Sequence, residues 1–228
     1  MKENSVLRYL TFIITLCTVS LPAAAIYIGN ITFTLPSDQN FTSKNVLNNN
    51  QSARIYQVSI IGIDSPGESE TRTRPADGEL LYAPKAMALS AGQSDYFKFF
   101  YHGPQDDKER YYRVSFREIP PENRAGQNTT GGKINIAPVI IMDSILVVRP
   151  RKIHFSYDWD KKNHTLTNNG NTYFKILLKN GCHSSEEDSD SYYLRPGEVL
   201  RSPALQRSGE KYILYNEKFI SLSEECNK

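Results

Sequence analysis

One segment constrains this chain more than any other. Ile134 to Val148 reads as a single extended run directly before Arg149-Pro150. Fifteen residues at about 3.3 Å each would extend roughly 50 Å, against a usual strand of about 17–20 Å. The first part alternates, with Lys133, Asn135 and Ala137 on one side and Ile134, Ile136 and Ile140 on the other. From Val139 to Val148, eight of the ten residues are apolar. A core strand buried on both faces accounts for Ile145 to Val148 but not for the alternating extension. A strand packed at one end in its own domain and lent at the other end to a partner accounts for both. The loop from Pro120 to Gly132, rich in Pro, Asn, Gly and Thr, precedes it. A long apolar strand on a free edge is an aggregation hazard unless something pairs with it.

The rest of the chain sets the frame. Residues 1–25 read as a cleavable export signal: Lys2 and Arg8, a short apolar stretch from Leu10 to Val19, then Ala23-Ala24-Ala25 as the small-x-small site. That stretch is too short to span a bilayer comfortably, and no other segment is long enough to do so. The residues before Cys17 lack the small residue of a lipid-modified cysteine. Export leaves Cys182 and Cys226, which an oxidising compartment favours as a disulfide. The formal charge of +2 gives no general electrostatic reason to bind nucleic acid or an anionic membrane.

Downstream the sequence is strand-like throughout: Ile26 to Leu35, Ala53 to Ile63, Asp95 to Tyr101, Tyr111 to Ile119, Lys152 to Trp159, Tyr173 to Leu178 and Tyr212 to Leu222. Ser65-Pro66-Gly67, Ala91-Gly92, His102-Gly103-Pro104, Asn168-Asn169-Gly170-Asn171 and Arg195-Pro196-Gly197 punctuate them as turns. No window holds a helical stripe. Arg149-Pro150 is the natural boundary, because proline ends a strand and stiffens a connection. The expectation is an all-β chain of two tandem immunoglobulin-like β-sandwiches, residues 26–150 and 151–228.

Catalytic and metal signatures do not assemble. His102, His154, His164 and His183 are scattered, without His-x-x-x-His spacing or a Gly-x-Ser-x-Gly turn. The acidic run Glu186 to Asp190 lacks the glycine and terminal glutamate of a calcium loop. No carboxylate pair stands out for glycoside cleavage. The reading is a binding protein with no metal, no cofactor and no small-molecule substrate.

A resemblance narrows it. Asp107-Lys108-Glu109-Arg110, then Phe116-Arg117-Glu118-Ile119-Pro120-Pro121, a polar loop and the long strand ending in Arg149-Pro150 are similar to periplasmic pilus chaperones. Ala83-Pro84, Leu89-Ser90-Ala91-Gly92-Gln93-Ser94 and Leu166-Thr167-Asn168-Asn169-Gly170-Asn171 support it, and it spans essentially the whole exported chain. Phe99 to Pro104, Glu109 to Val114 and Ile145 to Arg151 resemble the chaperones of the Escherichia coli common pilus. Ser52 to Tyr56 and Ile63 to Gly67 resemble the second chaperone of that system.

The resemblance implies a boomerang of two immunoglobulin-like domains in the periplasm. It implies partners that are pilus subunits, sandwiches lacking their last strand, and an outer-membrane usher where the next subunit's arm replaces the lent strand. Alternation and the family's Arg-Pro end together place Ile134, Ile136, Ile140 and Met142 on the donor face. Pro138 shares their parity, and a slip of one residue would substitute Val139 and Ile141. Many members anchor the subunit's carboxyl terminus with two basic residues. The matching positions here are Thr32 and Ile145, so Arg54, Arg113 and Arg149 are the candidate anchors. The competing reading is a two-domain pilus adhesin or structural subunit, disfavoured because the long apolar strand lies in mid-chain.

Overall fold

The computed structural model describes residues 26–67, 69–120, 138–182, 184–185, 188–222 and 226. Residues 1–25, expected as an export signal, most of the loop from Pro120 to Gly132, and Ile134 and Ile136 lie outside the described residues. Before Arg149-Pro150 the strands are β1 (Ile26–Tyr27), β2 (Thr32–Leu35), β3 (Phe41–Asn48), β4 (Arg54–Ile63), β5 (Arg72–Thr73), β6 (Leu80–Ala83), β7 (Ala86–Leu89), β8 (Ser94–Tyr101), β9 (Arg110–Ile119) and β10 (Ile140–Val148). They form two sheets, β1-β3-β8-β6 and β2-β10-β9-β4-β5, with β7 also on β4. Alternation decides the packing. Phe97, Phe99 and Tyr101 of β8 meet Tyr112, Val114 and Phe116 of β9, all buried, with Tyr56 and Leu146 beside them.

The run from Ile26 to Leu35, expected as one strand, is two. Gly29 turns it at φ +65°, a conformation that favours glycine. β1 therefore pairs antiparallel with β3 in the first sheet, while β2 crosses over and pairs parallel with β10 in the second.

The second sandwich contains β11 (Tyr157–Asp160), β12 (Thr165–Asn168), β13 (Phe174–Lys179), β14 (Ser189–Leu194), β15 (Val199–Arg201), β16 (Lys211–Tyr215) and β17 (Lys218–Ser221). Its sheets run β11-β12-β15 and β14-β13-β16-β17 over a core of Leu166, Phe174, Ile176, Leu178 and Ile213. Two expectations shorten here. Lys152 to Trp159 becomes strand only at Tyr157, and Tyr212 to Leu222 is a hairpin rather than one strand. Asn216 and Glu217 both take positive φ, 48° and 61°, the tight reversal whose twist suits adjoining strands. Cys182 and Cys226 are bonded, with Cα atoms 5.3 Å apart across a separation of 44 residues. Closing that loop contributes roughly 4 kcal/mol on a chain-entropy account.

Each sandwich carries a buried asparagine as a brace. Asn48 Nδ2 donates to the carbonyls of Ser52, Leu89 and Ser90, and its Oδ1 accepts from the Asn50 N–H. Asn168 Nδ2 donates to the carbonyls of Thr172 and Leu194, and its Oδ1 accepts from the Gly170 N–H. A buried amide satisfied this fully holds a turn without the cost of an orphaned polar group.

Candidate functional site: a half-paired edge strand and the cleft beside it

Among the described residues β10 is paired along its whole length on one side only. β9 accompanies it from Ile140 to Val148, antiparallel. On its other edge β2 covers Ile145 to Val148, and the Ile145 N–H donates to the Ile31 carbonyl at 2.7 Å. From Ile140 to Ser144 that second edge has no strand beside it among the described residues. Backbone donors and acceptors there are available to an added strand.

Parity sorts the side chains along that edge into two faces. Ile140 and Met142 point inward and pack, partly buried, against the first core, in the same layer as buried Leu146 and Val148. Val139 and Ile141 face outward, 43% and 62% exposed. A strand added at this edge extends the sheet, so its apolar face continues the layer that Ile140 and Met142 begin. Among the inward residues Ser144 is the exception: its Oγ is buried and has no hydrogen-bond partner among the described residues.

The three candidate arginines lie apart, each already matched by a carboxylate. Arg54 Nε reaches Glu118 at 3.3 Å, and the 3%-exposed Glu118 also accepts from Asn50 Nδ2 and the Tyr56 hydroxyl. Burial, followed by the Glu118 charge, pushes the Tyr56 phenol well above the ordinary tyrosine range. Arg113 grips Glu70 with two nitrogens and lies 3.5 Å from Asp143. Its Glu70 partner is held below the usual carboxylate range, chiefly by the Arg113 hydrogen bonds. Arg149 is buried where the sandwiches meet. It pairs with Glu109 at 3.3 Å, donates to the Tyr173 carbonyl at 2.8 Å and to Thr172 Oγ1, and stacks 4.1 Å from the Tyr173 ring. Sequence gave no sign of these partners, which lie tens of residues away along the chain.

Thr32 and Ile145 are direct neighbours in the β2–β10 register. They form part of the wall of a cleft of about 300 Å³ between the sandwiches, with Tyr111, Val147, Tyr173 and Tyr193. Pro66, Gly67, Arg195 and Glu198 complete it. Its floor is a small apolar cluster in which Val147, Ile63 and Tyr111 pack with Ile145 and Tyr173. Burial raises the Tyr111 phenol far above its ordinary range, with the Glu109 charge adding to it. Sequence reading did not single out Tyr111, Tyr173, Tyr193 or Arg195. The Ser65-Pro66-Gly67 and Arg195-Pro196-Gly197 turns and the Thr32 and Ile145 positions were the marks on that neighbourhood.

Among the described residues no group of three or more His, Cys, Asp or Glu is placed to hold a metal ion. No helix among them is long and apolar enough to cross a membrane.

The comparisons agree with this architecture. Residues 25–154 match the model of the pili and flagellar-assembly chaperone family, PapD N-terminal domain. The probable fimbrial chaperone EcpE of Escherichia coli K12 is 56% identical over 211 residues, covering 92% of this chain and 89% of that protein. The probable fimbrial chaperone EcpB of Escherichia coli O157:H7 strain EC4115 is 30% identical over 93% of this chain and 98% of its own. A solved structure of the Salmonella enterica SafA pilin in complex with the SafB chaperone matches with a TM-score of 0.53 at 16% identity, covering 90% of this chain and 96% of that one. On the family match and these relatives, this chain belongs to the pili and flagellar-assembly chaperones.

Proposed function

We propose that this chain is a periplasmic chaperone that holds pilus subunits by donating β10, and releases them at the outer-membrane usher for assembly into a fimbria. The reading needs no catalytic step and no cofactor. The observation that carries it is the edge of β10 from Ile140 to Ser144, unpaired among the described residues, with Ile140 and Met142 turned into the layer that a neighbouring sheet would share. Relatives named as probable fimbrial chaperones support it, as does the likeness in fold to a structure of a pilin held by its chaperone. Ile134, Ile136, Ile140 and Met142 are the donor residues in this reading. Backbone ladder bonds provide general affinity, and the alternating side chains fill a subunit's open groove. Arg54 and Arg113 act as structural ion pairs and Arg149 as a bolt between domains.

The test is periplasmic co-expression of the full chain with each candidate subunit, followed by purification on a chaperone tag. Replacing two donors in an Ile136→Asp, Ile140→Asp double variant removes about 3 kcal/mol or more of burial. Complex formation is expected to weaken by at least about 100-fold, with circular dichroism still showing a folded chain. A folded double variant that retains its subunit would overturn strand donation on this face.

A further inference from the structure

We propose that the cleft between the sandwiches is a side-chain pocket. It seats one large apolar or aromatic residue at the end of the subunit strand that pairs with β10, so that the subunit is recognised there by an apolar residue and not by a charge. This rests on the strand-donation reading above.

The first argument is where an added strand must end. Beyond Ser144 the edge of β10 belongs to β2, whose Thr32 sits opposite Ile145, and the Ile31 carbonyl has taken the Ile145 N–H. A strand laid along Ile140 to Ser144 therefore stops or turns at Thr32. That delivers its end to the two residues that wall the cleft.

The second argument is the chemistry waiting there. Ile145, Val147, Tyr111, Tyr173 and Tyr193 present an apolar and aromatic surface. The charged residues lining it are Arg195 and Glu198, and they answer one another. Arg195 Nε donates to Glu198 Oε1 at 2.8 Å, Nη2 donates to the same oxygen, and the Arg195 N–H donates to Oε2 at 2.7 Å. Arg195 Nη1 is taken by the Pro66 carbonyl at 3.1 Å. An incoming carboxylate would have to displace Glu198 from Arg195, whereas an incoming aromatic ring leaves that pair intact.

The third argument is fit. A volume of about 300 Å³ lies at the bottom of the range for small-molecule pockets, suited to a single large side chain. Val139 and Ile141 are exposed on the same outward parity as Ile145, with Asp143, paired to Arg113, between the two apolar stretches. Tyr193, 52% exposed and 5.8 Å from the Tyr173 ring, is the flank that an occupant would cover.

Gly67 gives a test that leaves the core alone, because a Cβ there meets no atom within 4 Å. Gly67→Trp fills the cleft from its lip, and Tyr193→Ala strips one wall. The probe is the complex with the subunit that co-purifies with the wild-type chain, chased with excess untagged chaperone. Gly67→Trp is expected to shorten the half-life of the complex at least about tenfold and Tyr193→Ala about threefold, a loss of roughly one hot-spot contact or less. The wild-type half-life should change less than about twofold between about 50 and 500 mM salt, since screening acts on charges. A Gly67→Trp complex as durable as wild type overturns the pocket, as does a wild-type half-life that falls tenfold with salt. In either case, loss of the subunit by the Ile136→Asp, Ile140→Asp chain shows that donation stands and only the pocket has failed. Retention by that double variant removes the donation reading, and the pocket with it.

Discussion

Lys44 is a charged side chain buried within the first sandwich. It points inward from β3, 7% exposed, where its Nζ donates to the Asn30 carbonyl and lies 5.0 Å from the Phe33 ring centroid. Among the described residues no ion pair neutralises it, and burial lowers its pKa from the ordinary 10.5. The sign follows from proton counting. Between the lowered folded value and 10.5, the unfolded chain binds more protons at this residue than the folded one, so its contribution to stability rises with pH across that window. Below the window both states are charged and the burial penalty is present in full. Lys44→Met, which keeps the length and removes the charge, is expected to melt at a higher temperature at pH 7. Its advantage over wild type should shrink as pH climbs toward 10.5. Paired thermal melts from about pH 7 to 10 check this, and an advantage that stays constant would mean that the ammonium carries no penalty.

At the scale of the element, β10 combines three roles in nine residues: core strand, neighbour of β2 and open edge. Ser144 sits where the second gives way to the third, its buried hydroxyl without a partner among the described residues. Leaving such a hydroxyl unsatisfied costs about 1–3 kcal/mol. Ser144→Ala is accordingly expected to stabilise the free chain by about 1 kcal/mol, read as a shift in urea midpoint at unchanged slope. No shift would mean that the hydroxyl finds water. Much of this strand was legible beforehand, because an apolar run that alternates at one end has few ways to sit in a sheet. The same logic located β4, β8 and β9. It failed where local backbone geometry overrides periodicity. Nothing in the alternation of Ile26 to Leu35 says that Gly29 swings the chain from one sheet to the other. Asn216-Glu217 folds a hairpin without the Gly or Pro that usually marks one. The arginines failed differently: their chemistry was visible, but Glu118 and Glu70 lie 64 and 43 residues from Arg54 and Arg113, and only the fold brings them together.

For the whole molecule, the question is what keeps two sandwiches at a fixed angle across so short a connection. Glu109 and Arg149 come from the first sandwich, Thr172 and Tyr173 from the second, and they form one buried network. Thr172 Oγ1 donates to Glu109 Oε2 at 2.7 Å, and the Tyr173 N–H donates to Glu109 Oε1 at 3.0 Å. Arg149 bonds the Tyr173 carbonyl from the other side. With Arg149 and Glu109 side chains 8% and 2% exposed, each charge is tolerable only because the other is present. Arg151 adds a second tie, donating to the carbonyls of Ser37 and Gln39 at 2.9 and 2.6 Å and so fixing the connection to the first sandwich. Tyr111 and Tyr173 belong both to this contact and to the cleft, so the network also sets the width of the cleft. Breaking one partner of a buried pair typically costs about 3–5 kcal/mol. Here that loss falls on the contact between domains and spares their separate cores. Glu109→Gln is therefore expected to split one cooperative unfolding transition into two, with the disulfide-tied second sandwich melting on its own. Scanning calorimetry reads the split directly. A variant that still unfolds in one transition at the wild-type temperature would show that the apolar cluster of Ile63, Tyr111 and Val147 holds the domains together without the ion pair.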